Sequence, residues 1–133
     1  MTTDIKELNL FQRIIKVREQ VKYAQKDKSV STGGGSYKAV THDQVTAIVR
    51  EHMNTYGIVC VPNMESSVMN QKEEGAKQQR YDAIYTFTFI NADKPDDSTT
   101  VRIEAHAMDN ADKAPGKAIS YAKKYALLKL FEI

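Results

Sequence analysis

Lys113, Lys117, Lys123, Lys124 and Lys129 crowd the stretch DKAPGKAISYAKKYALLKLFEI, and between Lys113 and Leu130 no aspartate or glutamate accompanies them. At about 100° per residue, Lys113, Lys117 and Lys124 fall in one narrow sector of a helix, with Ser120 beside them and Lys123 on the flank. Exposed helix faces usually mix Glu with Lys at i,i+4, because each such pair adds a little stability. A lysine face without counter-charges takes its complement from outside the helix, and that complement is anionic. The alternative is a face that is merely solvated.

Tyrosines interleave with these cations. Tyr121 and Tyr125 stand at i,i+4 in the same stretch, and Tyr37 precedes Lys38. Tyr125 falls in an apolar arc with Ala118, Ile119, Ala122, Ala126 and Leu130, which predicts that it packs in the core. Tyr37 and Tyr121 can stack on bases, the way single strands are gripped without their sequence being read. A tyrosine can equally pack with its hydroxyl bonded. The candidate nucleic-acid-binding residues are therefore Lys113, Lys117, Lys123, Lys124, Tyr37, Lys38 and the outward-facing strand residue Arg102.

Other chemistries fit less well. Gly116-Lys117 invites a phosphate-loop reading, but that loop needs a glycine five residues before Gly116 and a hydroxyl after the lysine. Ala111 and Ala118 stand there, so ATP binding is excluded and Gly116 is read as permitting close packing. His42, His52, His106 and Cys60 lack paired ligand spacing, so no metal site and no cofactor are assigned. Asp82, Glu104 and Asp109 could meet on one sheet face as a metal-dependent nuclease would require, but each sits at an outward strand position or strand end, where acids serve solubility. No nucleophile–base pair is evident. The chain reads as a binding protein and not as an enzyme.

These side chains need elements to hold them. Leu8, Phe11, Ile14, Ile15, Val17 and Val21 predict a helix near residues 5–25, with Arg13, Lys16, Arg18 and Lys22 on its exposed positions. Lys26–Ser36 ends in three glycines and reads as a mobile loop leading into an extended Tyr37–Val40. Thr41 with Gln44 forms a capping box, Val45, Ile48, Val49 and Met53 carry a second helix, and Tyr56-Gly57 ends it. The period then changes to two. Ile58–Val61 predicts a strand stopped by Pro62, Glu65–Gln79 a flexible connection, Tyr81–Ile90 a strand with Tyr81, Ala83, Tyr85, Phe87 and Phe89 on one face. After a turn at Asp93–Asp97, Thr99–Met108 alternates Val101, Ile103, Ala105 and Ala107 against Arg102, Glu104 and His106. Short connections favour an antiparallel meander covered by the last helix. The expected fold is α+β, a three-stranded antiparallel sheet packed by a long C-terminal helix, in the order α-α-β-β-β-α.

The 133 residues suit a single domain spanning 1–133, and their 41% hydrophobic content is enough for a core. One cysteine rules out an intrachain disulfide framework, and without a leader or long apolar span the expected location is cytoplasmic. The net charge of +2 conceals a pattern: residues 1–40 hold 8 Lys+Arg against 4 Asp+Glu, residues 41–112 hold 6 against 12, and residues 113–133 hold 5 against 1. Basic ends around an acidic middle suit a polyanion-binding face, surfaces that attract between copies, or both. The ending Phe131-Glu132-Ile133, directly on the helix, suggests a further C-terminal tail.

Two segments carry a resemblance. Asp112-Lys113-Ala114, Gly116-Lys117-Ala118 and Ser120–Leu128, ending in Leu130–Ile133, resemble the ERF superfamily of phage single-strand annealing proteins. Tyr37–Thr41 before a helix, followed by Tyr56-Gly57-Ile58, is similar to that family's earlier signature. The chain departs from the pattern at Pro115 and at the closing Phe-Glu-Ile, where a glycine commonly precedes the isoleucine. The resemblance implies an ATP-independent recombinase: a homo-oligomer, often a ring, that holds single-stranded DNA in a basic groove and pairs it with its complement. It also implies a core similar to the ring-forming annealing proteins, a bacterial host cytoplasm, and a phage or host single-strand-binding protein or exonuclease as further partner. Two alternatives stay open, the nuclease using strand carboxylates and an adaptor whose lysines contact an acidic protein.

Overall fold

The structure, a computed structural model, describes residues 4–28, 30–31, 37–38, 42–70, 75, 78–109 and 113–132. After a short 3-10 helix at Ile5–Glu7, the chain forms α1 (Leu10–Lys28), β1 (Val30–Ser31), β2 (Tyr37–Lys38), α2 (His42–Thr55), β3 (Ile58–Met69), β4 (Gln79–Asn91), β5 (Lys94–Asp109) and α3 (Ala114–Leu130). The three long strands form an antiparallel sheet in the order β3-β4-β5, which is the α-α-β-β-β-α arrangement expected from the periodicities. The described residues gather into two compact units, Met1–Val59 with Ile90–Ser98 and Phe131–Ile133, and Cys60–Phe89 with Thr99–Leu130.

In the first unit, α1 starts on a reciprocal cap. The Gln12 amide N–H donates to Asn9 Oδ1 (2.9 Å) and the Asn9 amide N–H to Gln12 Oε1 (2.8 Å), a capping box with Asn at the N-cap. Asp97, from the start of β5, accepts a further orphan amide, that of Leu10, at 2.7 Å. The helix buries Leu10, Ile14, Val17 and Val21, while Phe11 and Ile15 are 62% and 51% exposed. Arg13 departs from expectation. Instead of lying on the outer face it is wholly buried, and its guanidinium donates to the carbonyls of Leu8 (2.9 Å), Ile5 (2.8 Å), Tyr56 and Gly57 (both 3.2 Å). Asp93 Oδ2, 2.9 Å from Nη2, supplies the counter-charge. A buried charge is tolerable because it is paired and its donors are occupied.

α2 buries Val49 and Met53 and ends at Tyr56-Gly57, as its sequence indicates. Gly57 has φ 66°, a conformation that costs a side chain dearly, and a Cβ there would stand 2.7 Å from Arg13 Nη1. The capping box expected at Thr41 lies outside the described residues. So does most of the expected Lys26–Ser36 loop, but its start is not irregular: α1 continues to Lys28, and Val30 and Ser31 pair antiparallel with Lys38 and Tyr37.

The second unit holds most of the sheet and α3. On β4, Tyr81, Ala83, Tyr85, Phe87 and Phe89 are each 5% exposed or less, the single apolar face that strict alternation predicts. Burial and the neighbouring Tyr81 hydroxyl push Tyr85 up to about 12. Both flanking strands run longer than expected. β3 passes through Pro62 to Met69, and β5 begins at Lys94 and contains Pro95. Both are edge strands, where a missing N–H can point away from the ladder, so proline is no stop signal there. The β4–β5 turn is only Ala92-Asp93, held by the Asn91 side chain accepting from the amides of Asp93 and Lys94.

β3 also carries a bulge. The Ala92 amide donates to Gly57 at one end of the ladder and the Asn70 amide to Arg80 at the other, so the pairing slips by one residue between them. Side chains agree: Met64 lies against the Tyr81 hydroxyl on the apolar side and Glu65 pairs with Arg102 on the solvent side, yet Ser66 and Val68 line the solvent-face groove with Asp82 and His106, so the alternation is broken at Glu65-Ser66.

Candidate nucleic-acid interface

α3 is seated by alanines. Ala114, Ala118, Ala122 and Ala126 recur every fourth residue and are completely buried, a stripe that lets the helix backbone come close to what it covers. Leu127 and Leu128 close the C-terminal end. The Lys117 amide donates to the Lys113 carbonyl (3.1 Å) at the start, and Pro115 sits in the first turn, where no intrahelical donor is lost.

Three members of the expected apolar arc fall outside the core, Leu130 being only half-buried. Ile119 is 39% exposed and Tyr125 is 47% exposed, as is Tyr121. Alanine is too short to keep solvent from a larger neighbour beside it, so up to Ala126 the stripe is what the helix buries, and the tyrosines at its border stay partly open. Gly116 is also reassigned: a Cβ there meets nothing within 4 Å, so it serves no close packing.

Around the helix, the order from the buried stripe outward on one flank is Tyr125 and Tyr121, then Lys117, Lys124 and Lys113. Lys113 and Lys117 are exposed and Lys124 is half-buried, its Nζ 5.8 Å from the centre of the Tyr121 ring. Lys123 stands on the other flank with Ile119, and its charge is felt at Cys60 of β3. Burial raises the Cys60 thiol, and Lys123 offsets part of that rise. Of the four lysines predicted around α3, three thus share one sector and Lys123 stands apart.

Arg102 joins neither group. Its strand position matches that of Thr100, whose hydroxyl lies 3.2 Å from that of Thr88, opposite the face of Phe87 and Phe89. There its Nε donates to Glu65 Oε2 at 3.0 Å. Tyr37 and Lys38 lie on β2, and their side chains are outside the described residues.

The solvent face of the sheet has its own groove, about 430 Å³, lined by residues including Ser66, Val68, Arg80, Asp82, Glu104 and His106. Two of the three carboxylates weighed for nuclease chemistry therefore do share a face, while the Asp109 side chain is outside the described residues. Asp82, however, is committed. Partial burial opposes its ionisation, but hydrogen bonds from Arg80 and Asn70 and the charges of Arg80 and His106 outweigh that and hold its carboxyl below the usual value. Among the described residues no three His, Cys, Asp or Glu side chains converge as a metal would need, and no helix is long and apolar enough to cross a membrane.

The family model of the ERF superfamily matches residues 10–133, from the first residue of α1 through the whole of α3. The chain belongs to the ERF superfamily. No curated protein and no solved structure matches it. ERF membership suggests single-strand annealing, an activity that uses DNA-binding surface and not a catalytic constellation. Within the ERF match, sequence reasoning missed Arg13, because periodicity assigns a side chain to a face but cannot foresee carbonyls gathered from the turn before the helix and from the distant end of α2. It missed Tyr125 for a related reason: the wheel angle of a residue does not say how far its neighbours reach.

Proposed function

We propose that this ERF-superfamily chain is an ATP-independent single-strand annealing protein acting as one domain in a homo-oligomer. The observation that carries the reading is the face of α3 on which Lys113, Lys117 and Lys124 gather with no acidic residue between Lys113 and Leu130. Lysines so placed neutralise phosphates whatever the bases, and release the counterions condensed on the strand. Lys123 on the other flank extends the contact to a strand passing over more than one side of the helix, and Tyr37 and Lys38 are proposed as a DNA contact of their own. Arg102, tied to Glu65, contributes only if that pair opens. Arrays of such protomers would hold a strand extended for pairing in the cytoplasm of a bacterial host, where a phage or host exonuclease or single-strand-binding protein would supply it.

The test is a gel shift at low salt with a single-stranded oligonucleotide, followed by addition of the complement, without ATP. Binding followed by conversion to duplex faster than the strands pair alone supports annealing. Strand cleavage on adding magnesium would favour the nuclease instead, and no shift at low salt would favour an adaptor for an acidic protein.

A further inference from the structure

We infer that Tyr121 and Tyr125 form a platform on which the bases of the bound strand stack, beside the lysines that hold its phosphates. The inference rests on the reading of α3 as the DNA-binding helix and assigns the bases a place on it.

Three observations converge. Tyr121 and Tyr125 are each 47% exposed, although tyrosines on a core-facing helix ordinarily bury most of the side chain and expose only the hydroxyl. Both lie on one flank, between the buried alanine stripe and the sector of Lys117 and Lys124. The Lys124 ammonium stands 5.8 Å from the Tyr121 ring centre, so a phosphate held by that lysine lies beside the ring. A strand following the lysines with its phosphates can turn its bases to either flank of that sector or away from the helix. On one side it meets two aromatic rings.

The spacing adds a geometric demand. Residues at i,i+4 are separated by about 6 Å along a helix axis, more than the roughly 3.4 Å rise between bases stacked within a strand. Two neighbouring bases can use both rings only if they are unstacked from each other. Bases held in that way are open to a complementary strand, which is what an annealing protein needs. Stacking uses the ring and not the hydroxyl, so every base is accepted.

The test compares a thymine oligonucleotide with an abasic one of equal length and charge, using the whole chain. The unmodified protein should bind the thymine strand at least ten-fold more tightly, since aromatic stacking contributes on that scale for each base. Tyr121→Ala with Tyr125→Ala should weaken thymine-strand binding by roughly ten-fold or more, leave abasic binding and the salt slope as they were, and lose most of the quenching of tyrosine emission by the thymine strand. Tyr121→Phe with Tyr125→Phe should bind like the parent. Equal affinity of the unmodified protein for both strands overturns the platform while leaving phosphate binding by α3 in place, and that comparison requires no variant to fold. An alanine pair that weakens both strands alike, or a phenylalanine pair as weak as the alanine pair, also overturns it. Failure of the unmodified protein to bind either strand overturns the DNA-binding reading itself, and the platform with it.

Discussion

Arg13 is the residue on which the first unit most depends. Its guanidinium satisfies carbonyls from Ile5, Leu8, Tyr56 and Gly57 and faces the Asp93 carboxylate, all from a side chain with no solvent exposure. Removing it leaves buried carbonyls without their donor, while Asp93, 39% exposed, is taken up by solvent, so Arg13→Ala should cost about 1–3 kcal/mol in urea unfolding. Arg13→Lys should recover only part of that, because an ammonium cannot reproduce the planar fork. Gly57→Ala acts on the same network from the other side, combining the positive φ with contact against Nη1, and should also lower the urea midpoint. Asp97 is a different kind of residue, one whose contribution depends on pH. Its carboxylate accepts from the Leu10 amide first and from Asn91 second, and these bonds hold its pKa below the usual 3.8. Since the native value lies below the unfolded one, the stabilisation is complete above the unfolded value and is lost as pH falls through the native one. The thermal midpoint of the unmodified chain should therefore fall more steeply below about pH 4 than that of Asp97→Asn, whose neutral side chain has no charge to lose.

At the scale of elements, α3 serves two purposes on opposite faces, and each can be altered alone. The buried alanine stripe has no room for larger groups, so Ala122→Leu should destabilise by about 1–3 kcal/mol through overpacking. The lysine sector should respond differently. Replacing Lys117 and Lys124 together by Ala should leave the fold intact and reduce the dependence of single-strand affinity on log salt by roughly one to one and a half units. Annealing should then fail before assembly does. A double variant that binds and anneals like its parent across a salt titration would show the sector to be only a solvated face.

At the scale of the whole molecule, β3 is an edge strand whose side chains lie open to other chains. From Val61 to Met69 every residue is exposed, Val59, Val61, Met64 and Val68 are about half open to solvent, and Glu65 is the strand's lone charge. Edge strands are normally defended by charge, covering or brevity, and β5 has Lys94, Asp96, Asp97 and Arg102 along it. An undefended edge suits the self-association proposed above. Light scattering at micromolar concentration should report a multimer, and Val61→Lys with Val68→Lys should shift it toward monomer without loss of secondary structure. A monomer for the unmodified chain, with and without oligonucleotide, would count against the assembly.

What the sequence determined by itself was whatever depends on period and local chemistry. The alternation from Tyr81 to Phe89, the 3.6-residue spacing of α1 and α2, the glycine stop at Gly57 and the lysines of α3 are each settled within a few residues. Those features yielded the element order and the candidate DNA-binding face. Tertiary structure decided what depends on partners distant in the chain. Pro62 and Pro95 lie within strands because those strands are edges, a fact about neighbours and not about proline. Arg13 is buried because Asp93 and four carbonyls converge around it, and Arg102 leaves the lysine group because Glu65 stands opposite. Tyr125 is open because the alanines beside it set the helix close and leave the longer ring at the margin, and no wheel drawn from the sequence contains that distance.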